Sequence, residues 1–258
     1  MAAGKEVRIQ SSGQGSGTLY IAGPGGVLKQ EVKLGAEVPI APEIFEQAGR
    51  YTAILRVGDR SSAKQFWVTS GEPSQLTFLA RPSRLPVSVA GGISGVAYVF
   101  DGYGNLRMEP TPVKFELALG NAPGVSRTVA TKNGVAWTRA DAGRSQGAAQ
   151  FVASVGKATE RRVVQLVASD PCDLRMQASR VRAGIEIRTT PVRDCSGNPV
   201  PDGTIVTFTA VTASGRSSVD ARIKRGIATA TLPLKESALV SVASGVVMGN
   251  EIRVGGVR

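Results

Sequence analysis

The sequence predicts an all-β chain of three β-sandwich domains in a row, at residues 1–71, 72–168 and 169–258. Two observations carry this prediction. The 31 glycines and 14 prolines separate short runs rich in Val, Ile, Thr and Phe, which is typical of short strands joined by turns. A block of about 90 residues is also repeated, and it fixes the last two domains. The 258 residues are 42% hydrophobic and 20% charged, as in ordinary folded proteins.

The repeat is anchored by two copies of the frame D-x-x-G-N. The first copy consists of Asp101, Gly104 and Asn105, and the second, 93 residues later, of Asp194, Gly197 and Asn198. The same offset relates the V-x-F runs that begin at Val113 and Val206, and an offset of 92 relates the segments 133–136 and 225–228. Residues 72–168 and 169–258 are therefore interpreted as two copies of one module.

Each module alternates strands with turns. In the run from Val113 to Leu119, apolar side chains alternate with Lys114, Glu116 and Ala118, which indicates a half-buried antiparallel strand. The segment 205–211 is its β-branched counterpart. The first 71 residues lack the frame but contain similar short strands. Tyr51 follows a tight turn there, which predicts a tyrosine corner whose hydroxyl bonds to nearby backbone.

The residue order of the frame matches turn chemistry. The Asp carboxylate can accept a backbone N–H two residues on, Gly supplies a positive φ, and Asn tolerates left-handed geometry or bonds locally. A calcium site is the alternative interpretation. It is disfavoured because calcium takes six to eight oxygens and each frame offers one carboxylate.

These landmarks resemble the bacterial immunoglobulin-like repeats, especially the group-1 repeats of invasin- and intimin-type surface proteins. The resemblance rests on the D-x-x-G-N turn, the V-x-F strand and the later N/R-G-V/I-A element, and it covers about 185 residues. It implies that residues 72–168 and 169–258 are immunoglobulin-like β-sandwiches of a kind that act mostly as spacers. With the smaller sandwich expected in residues 1–71, we expect three tandem immunoglobulin-like β-sandwich domains. The first copy departs from the pattern at residues 106–109, where a Pro-Val pair is preferred, so a longer turn is expected there.

The two cysteines, Cys172 and Cys195, are predicted to form a disulfide. A hairpin centred on Ala183-Gly184 would bring them opposite each other. Such a bond would stabilise the third module by roughly 3 kcal/mol and indicates an oxidising compartment. Two unpaired thiols in a cytosolic protein are the alternative. A zinc site is disfavoured because the chain has no histidine to complete the ligand set.

The net charge of +11 is spread over the chain, with +2, +5 and +4 in the three segments. Nucleic-acid binders usually concentrate charge on one face, so nucleic acid is not the expected partner. A polyanion-binding role would require one face to collect either the arginines at 180, 182, 188 and 193 or the run Arg222–Arg225.

No catalytic constellation is found. The absence of histidine removes the commonest general base, and Ser61-Ser-Ala-Lys64 matches S-x-x-K without its partner motifs. No cofactor is expected. Trp67 and Trp137 are predicted to lie in cores or between domains. Tyr103, at a turn tip, is the candidate contact residue for the next module or a partner.

The sequence therefore predicts a non-enzymatic, extracytoplasmic rod, spacer or adhesion module, on a bacterial surface or in the periplasm. Its partners would be other envelope proteins or surface polysaccharide. Short linkers at 71–73 and 169–171 would limit bending. The alternatives are an accessory subunit of a larger extracytoplasmic complex, or a module that binds carbohydrate or polyanion.

Residues 1–5 have no apolar core, so the chain is expected to be either cytosolic or a mature form whose export signal was replaced by Met1. The cysteines favour the second interpretation. No run is long enough to cross a bilayer as a helix.

Overall fold

The all-β prediction is confirmed by the computed structural model, which describes residues 1–120, 124–234 and 236–255. The first group of strands forms a four-stranded sheet of order β3-β2-β5-β6, faced by the pair β1-β4. Its elements are β1 (Val7–Gln10), β2 (Ser16–Gly23), β3 (Gly26–Lys33), β4 (Glu37–Ile40), a 3₁₀ turn (Pro42–Phe45), β5 (Gly49–Val57) and β6 (Arg60–Val68).

The second group forms a sandwich of a three-stranded sheet, β12-β9-β7, and a five-stranded sheet, β11-β10-β13-β14-β8. Only β8 runs parallel to its neighbour, β14. The strands are β7 (Gln75–Arg81), β8 (Arg84–Pro86), β9 (Ile93–Phe100), β10 (Pro112–Leu119), β11 (Val125–Ala130), β12 (Val135–Ala140), β13 (Gly147–Val155) and β14 (Ala158–Val167).

The third group repeats this plan with sheets β16-β17-β21 and β20-β19-β22-β23 and a short pair, β15-β18. The strands are β15 (Pro171–Cys172), β16 (Met176–Val181), β17 (Gly184–Thr189), β18 (Arg193–Asp194), β19 (Ile205–Thr212), β20 (Gly215–Arg222), β21 (Thr229–Leu232), β22 (Ala238–Ser244) and β23 (Val247–Val254).

Each group has its own hydrophobic core. The cores draw on residues 3–68, 76–166 and 174–254, and none of them mixes residues from two groups. The predicted alternation explains the packing, since Val113 and Phe115 of β10 are buried while Lys114 between them is exposed. Three sandwiches with separate cores can keep their internal structure while their mutual arrangement is decided at the contacts between them.

The Cys172–Cys195 disulfide is present, with the two Cα atoms 4.9 Å apart. The predicted hairpin is also present, but its register differs by one residue at the centre. Val181 pairs with Gly184, so the turn lies at residues 182–183, and Cys172 pairs with Arg193. Cys195 therefore lies two residues beyond the position opposite Cys172. The disulfide joins the pair diagonally instead of directly, because Cys195 already belongs to the turn that follows β18.

The prediction that the tryptophans lie in cores or between domains was wrong for Trp137, and Trp67 is not in a core but lines a cleft between the first two domains. Trp67 is 65% exposed and Trp137 is 55% exposed. Strand alternation explains both, because each lies next to a buried residue, Val68 and Ala136, that takes the inward face. Among the described residues, no helix has the length and apolar character needed to span a membrane.

Candidate functional site: the two domain junctions

Both D-x-x-G-N frames lie where one sandwich meets the next. Within each frame the geometry follows the predicted turn chemistry. One carboxylate oxygen of Asp101 accepts the N–H groups of Tyr103 and Asn105, both at 2.9 Å. Gly104 has a φ of 81°, a conformation that glycine adopts without strain. The second frame repeats this with Ser196 and Asn198 N–H bonds to Asp194 at 2.9 and 2.8 Å.

The second carboxylate oxygen of each Asp reaches the linker that enters the domain. Asp101 Oδ2 accepts the Gly71 N–H at 2.7 Å, and Asp194 Oδ2 accepts the Ser169 N–H at 3.0 Å. Gly71 and Ser169 occupy the same position, two residues before a proline. The turn thus fixes the first residue of each linker, which leaves the short linker little freedom to bend.

Each frame's Asn side chain spans the junction to the preceding domain. Asn105 donates from Nδ2 to the Glu46 carbonyl at 2.7 Å and accepts the Ala48 N–H on Oδ1 at 2.7 Å. The second junction repeats both bonds. Asn198 donates to the Arg144 carbonyl at 2.7 Å and accepts the Gln146 N–H at 3.1 Å. We call this pair of bonds the amide clamp.

The same Asn side chains are held by their own Asp. Asn105 Nδ2 donates to Asp101 Oδ2 at 2.9 Å, and Asn198 Nδ2 donates to Asp194 Oδ2 at 3.0 Å. This internal bond fixes the orientation of the amide, so its oxygen and nitrogen point at the right partners before the domains meet. A clamp that is oriented in advance loses less conformational entropy when the junction closes.

Both carboxylates are stabilised in the ionised form. Asp101 is fully buried, and burial alone would raise its pKa. The hydrogen bonds that it accepts from Gly71, Asn105 and Tyr103 outweigh that effect and hold the pKa below its ordinary value of 3.8. The pKa of Asp194 is lowered in the same way, with burial opposed by bonds from Asn198, Ser169 and Ser196. At neutral pH each turn therefore centres on a charged, hydrogen-bonded acceptor.

This bonding also bears on the calcium alternative. Both oxygens of each Asp already accept N–H groups, and a calcium ion would need these lone pairs. Within the described ranges, no group of three or more His, Cys, Asp or Glu side chains could hold a metal ion. The observed bonds of both frames go to backbone N–H groups and to the frame's own Asn side chain.

A tyrosine corner supports the loop that receives the first clamp. Tyr51 is fully buried, and its hydroxyl oxygen lies 2.9 Å from the carbonyl oxygens of both Ile44 and Gln47, which share its single donor hydrogen. Gln47 lies between the two clamp partners, Glu46 and Ala48. The corner that the sequence predicted within the first domain therefore also stiffens the surface to which Asn105 binds.

Tyr103 contacts the preceding domain. It is 43% exposed, and its ring occupies the space that a Cβ atom on Gly4 would fill. The equivalent residue of the second frame is Ser196, whose hydroxyl lies 2.8 Å from that of Ser88. Gly4 and Ser88 have similar positive φ values of 68° and 62°. The candidate contact residue thus lies against a neighbouring domain of its own chain.

The longer turn expected at residues 106–109 is not formed. Phe100 bridges to Leu106 just as Arg193 bridges to Pro199, so the two turns have the same length. The sequence difference has another effect. Arg107 stands where the third domain has Val200, which is buried in that domain's core. Its guanidinium instead donates to the Gly71 carbonyl, on the linker. The departure from the repeat pattern adds a contact to the first junction.

Sequence reasoning missed the cross-domain role of Asn105 and Asn198. A signal was present, because a tight turn requires only Asp and Gly, yet both copies keep Asn while the two residues between Asp and Gly differ. The Ser61-Ser-Ala-Lys64 segment lies within β6, where Ser61 and Lys64 are exposed.

The comparisons with known proteins concern the fold. No protein-family model and no curated protein sequence matches this chain, whereas solved structures do. The FdeC adhesin of Escherichia coli aligns over 98% of this chain and 93% of its own, with a TM-score of 0.68 and 16% identity. The three domains of the present chain therefore have the immunoglobulin-like fold. Invasin, described as a bacterial integrin-binding protein, aligns over 98% of this chain and 60% of its own, with a TM-score of 0.52 and 12% identity.

Yersinia pseudotuberculosis InvD gives a similar result, with a TM-score of 0.51, 13% identity and coverage of 98% of this chain and 87% of its own. These neighbours are bacterial proteins of the invasin type. The resemblance of the sequence landmarks pointed to the same type of protein. At such low identity the likeness establishes the fold of the immunoglobulin-like domains and leaves their binding partners open.

Proposed function

We propose that the chain is a non-enzymatic spacer and adhesion module on a bacterial surface or in the periplasm, whose three immunoglobulin-like domains form a stiff rod. The observation that carries this proposal is the duplicated amide clamp. Two independent junctions use the same Asn bonds to the same backbone positions of the preceding domain. Unclamped neighbouring domains are expected to move relative to each other, so repetition of the clamp favours a role for fixed spacing.

The positions of the junctions support an extended arrangement. The first frame follows the end of β9, and the loop that receives the second clamp follows the end of β12. These strands pair antiparallel, so their ends point in opposite directions. The first and third domains therefore attach at opposite ends of the second. The disulfide supports an oxidising, extracytoplasmic location, and the adhesin neighbours make a role in adhesion the natural context for such a rod.

The test is a measurement of interdomain distances. Both native cysteines are engaged in the disulfide, so cysteines introduced at the exposed positions Ser62, Thr159 and Ser217 provide spin-label pairs across each junction. Narrow distance distributions are expected for the intact chain. The Asn105→Ala/Asn198→Ala variant should broaden both distributions while circular dichroism stays that of a folded β protein. Broad distributions in the intact chain would rule out the rod.

A further inference from the structure

An open cleft of about 600 Å³ lies in the third domain, at the seam where β20 of one sheet meets β21 of the other. Its walls include small apolar side chains, and no aromatic side chain lines it. The polar and charged groups that matter for binding are Arg188, Arg222, Lys224, Arg225, Thr229 and Thr231. The seam brings Arg188 together with three cations of the run Arg222–Arg225.

The four cations are exposed and available. Among the residues that the structure describes, none of the four forms a salt bridge. Three acids lie near these cations and offset part of their charge. Asp220, on the wall of the cleft, accepts the Thr207 hydroxyl at 2.6 Å, and Asp202 accepts the backbone N–H groups of Arg225 and Gly226. Glu186 pairs with Thr231 on the same face of β17 as Arg188. The four cations outnumber these carboxylates, so the cleft keeps a net positive charge.

The second domain provides an internal comparison, because the same seam exists there. Strand register aligns Arg222 of the third domain with Ala130 of the second. It also aligns the cross-strand pair Arg188–Thr229 with the pair Val96–Trp137. The repeat aligns Arg225 with Asn133 and Lys224 with Lys132. Three of the four cations are thus absent from the equivalent positions of the second domain, although the backbone plan is the same. That seam has other cations instead, Arg139 at the position of Thr231 and Arg127 at the position of Val219. This arrangement of four cations is therefore particular to the third domain and not a requirement of the fold.

We infer that this cleft is a binding site for an anionic polysaccharide bearing sulfate or carboxylate groups. Arginine, which supplies three of the four cations, binds such groups through paired N–H donors. Thr229 and Thr231 are exposed in the cleft and add hydroxyl groups for sugar oxygens. Nucleic acid fits less well, because proteins that bind single strands stack bases on aromatic side chains, and the cleft has none.

This inference goes beyond the spacer role and does not depend on it, since a flexible chain would keep the cleft. The test uses the intact chain and a heparin fragment of defined length, measured by isothermal titration at several salt concentrations. The test variant takes the second domain's residues, Arg188→Val, Arg222→Ala and Arg225→Asn, which the same backbone already accommodates. The matched control removes three exposed cations from the first domain, Lys29→Ala, Arg60→Ala and Lys64→Ala.

The test variant is expected to weaken heparin binding at least tenfold. It should also lower the slope of log affinity against log salt by about 3, because each of the three arginines no longer neutralises an anionic group. The control should stay within about twofold, a change due to net charge alone. Equal losses of affinity in both variants would overturn the inference, as would undetectable heparin binding by the intact chain. Tighter binding of a single-stranded oligo-dT through the same cations would assign the cleft to nucleic acid and also overturn it.

A gain-of-function variant separates loss of binding from damage to the third domain. In the background of the test variant, Val96→Arg, Ala130→Arg, Asn133→Arg and Trp137→Thr place the cleft's residues on the second domain's seam. Asn133 and Arg225 have φ values of 51° and 52°, so this position accepts the exchange. Heparin binding is expected to return. Failure to return, in a variant that retains its β circular dichroism, would contradict the proposed set of contacts.

Discussion

The two domain junctions contain the same polar clamp in different surroundings. In the first, Asn105 is 7% exposed and both of its cross-domain bonds measure 2.7 Å. In the second, Asn198 is half-buried and one of its bonds lengthens to 3.1 Å. The first junction adds packing of Tyr103 on Gly4, the Arg107 bond to the linker and a Ser70 bond to Glu109 at 3.0 Å.

The second junction has a covalent device instead. Cys195 lies inside the frame, directly after Asp194, and ties the turn to Cys172 near the start of the third domain. The hydroxyl of Ser88, which is exposed, also meets that of Ser196, which is half-buried, across this junction. The comparison teaches that the same amide clamp can be stabilised in two ways. Burial and neighbouring side chains stabilise the first clamp, and a disulfide that fixes the turn stabilises the second.

Removal of the disulfide should have the largest effect on stability, and this effect should be confined to the third domain. Cys172→Ser/Cys195→Ser is expected to lower the free energy of unfolding of the third domain by about 3 kcal/mol, because the bond closes a loop of sequence separation 23. Trp67 and Trp137 lie in the first two domains, so their fluorescence transition in urea should not move. The urea unfolding curve measured by circular dichroism should show an additional transition at a lower urea concentration, from the third domain. A shift of the tryptophan transition by the same amount would contradict this assignment.

Loss of the amide clamp should cost more at the first junction than at the second. Asn105→Ala leaves the Ala48 N–H and the Glu46 carbonyl without partners in a part-buried setting, at a cost of about 2 kcal/mol. Asn198→Ala is expected to cost about 1 kcal/mol, because water reaches the freed groups. Urea unfolding, monitored for each variant with labels across its own junction, measures both. Equal costs would mean that burial does not distinguish the junctions.

Exchange of the tip contact sharpens the comparison further. Gly4→Ser alone should destabilise the first junction by about 1 kcal/mol, because the new Cβ collides with the Tyr103 ring. Gly4→Ser/Tyr103→Ser reproduces the serine pair of the second junction, and most of the stability should be recovered. A double-mutant cycle on urea midpoints gives the coupling energy. Additive effects would show that the ring and the glycine are independent.

Acid should produce the smallest change within the range where the domains stay folded. A carboxylate whose native pKa is lowered contributes stability at pH values above its unfolded pKa, and the contribution is lost as the pH falls through the native value. For Asp101 and Asp194 the loss begins near the ordinary 3.8 and completes below it. Trp67 lines a cleft at the first junction with Leu106 and Met108, so its emission in a Trp137→Phe background reports on that junction.

A change in that emission between neutral pH and about pH 3 is expected. The same change should be absent in Asp101→Asn, whose side chain does not titrate. An identical pH response in the variant would show that another group controls the junction.

Local patterns predicted much of this molecule, and long-range contacts explain what they missed. The alternation at Val113 and Phe115, the tyrosine corner at Tyr51 and the paired cysteines are all decided within short stretches of chain. The clamp is not, because Asn105 binds backbone groups 57 and 59 residues earlier. The tryptophans were misjudged because composition favours burial, whereas the strand phase set by Val68 and Ala136 turns them outward. Register at the cysteine hairpin differed by one residue, which turn statistics alone could not decide.

The middle domain has a further consequence for assembly. It presents a clamp side chain, Asn105, at one end and the receiving backbone groups of Arg144 and Gln146 at the other. A unit with complementary, non-identical ends joins to its neighbours head to tail, and such couplings have no intrinsic stopping point. Duplicating or deleting one such domain would therefore change the length of the chain of domains by a fixed amount, and no interface would need to be redesigned.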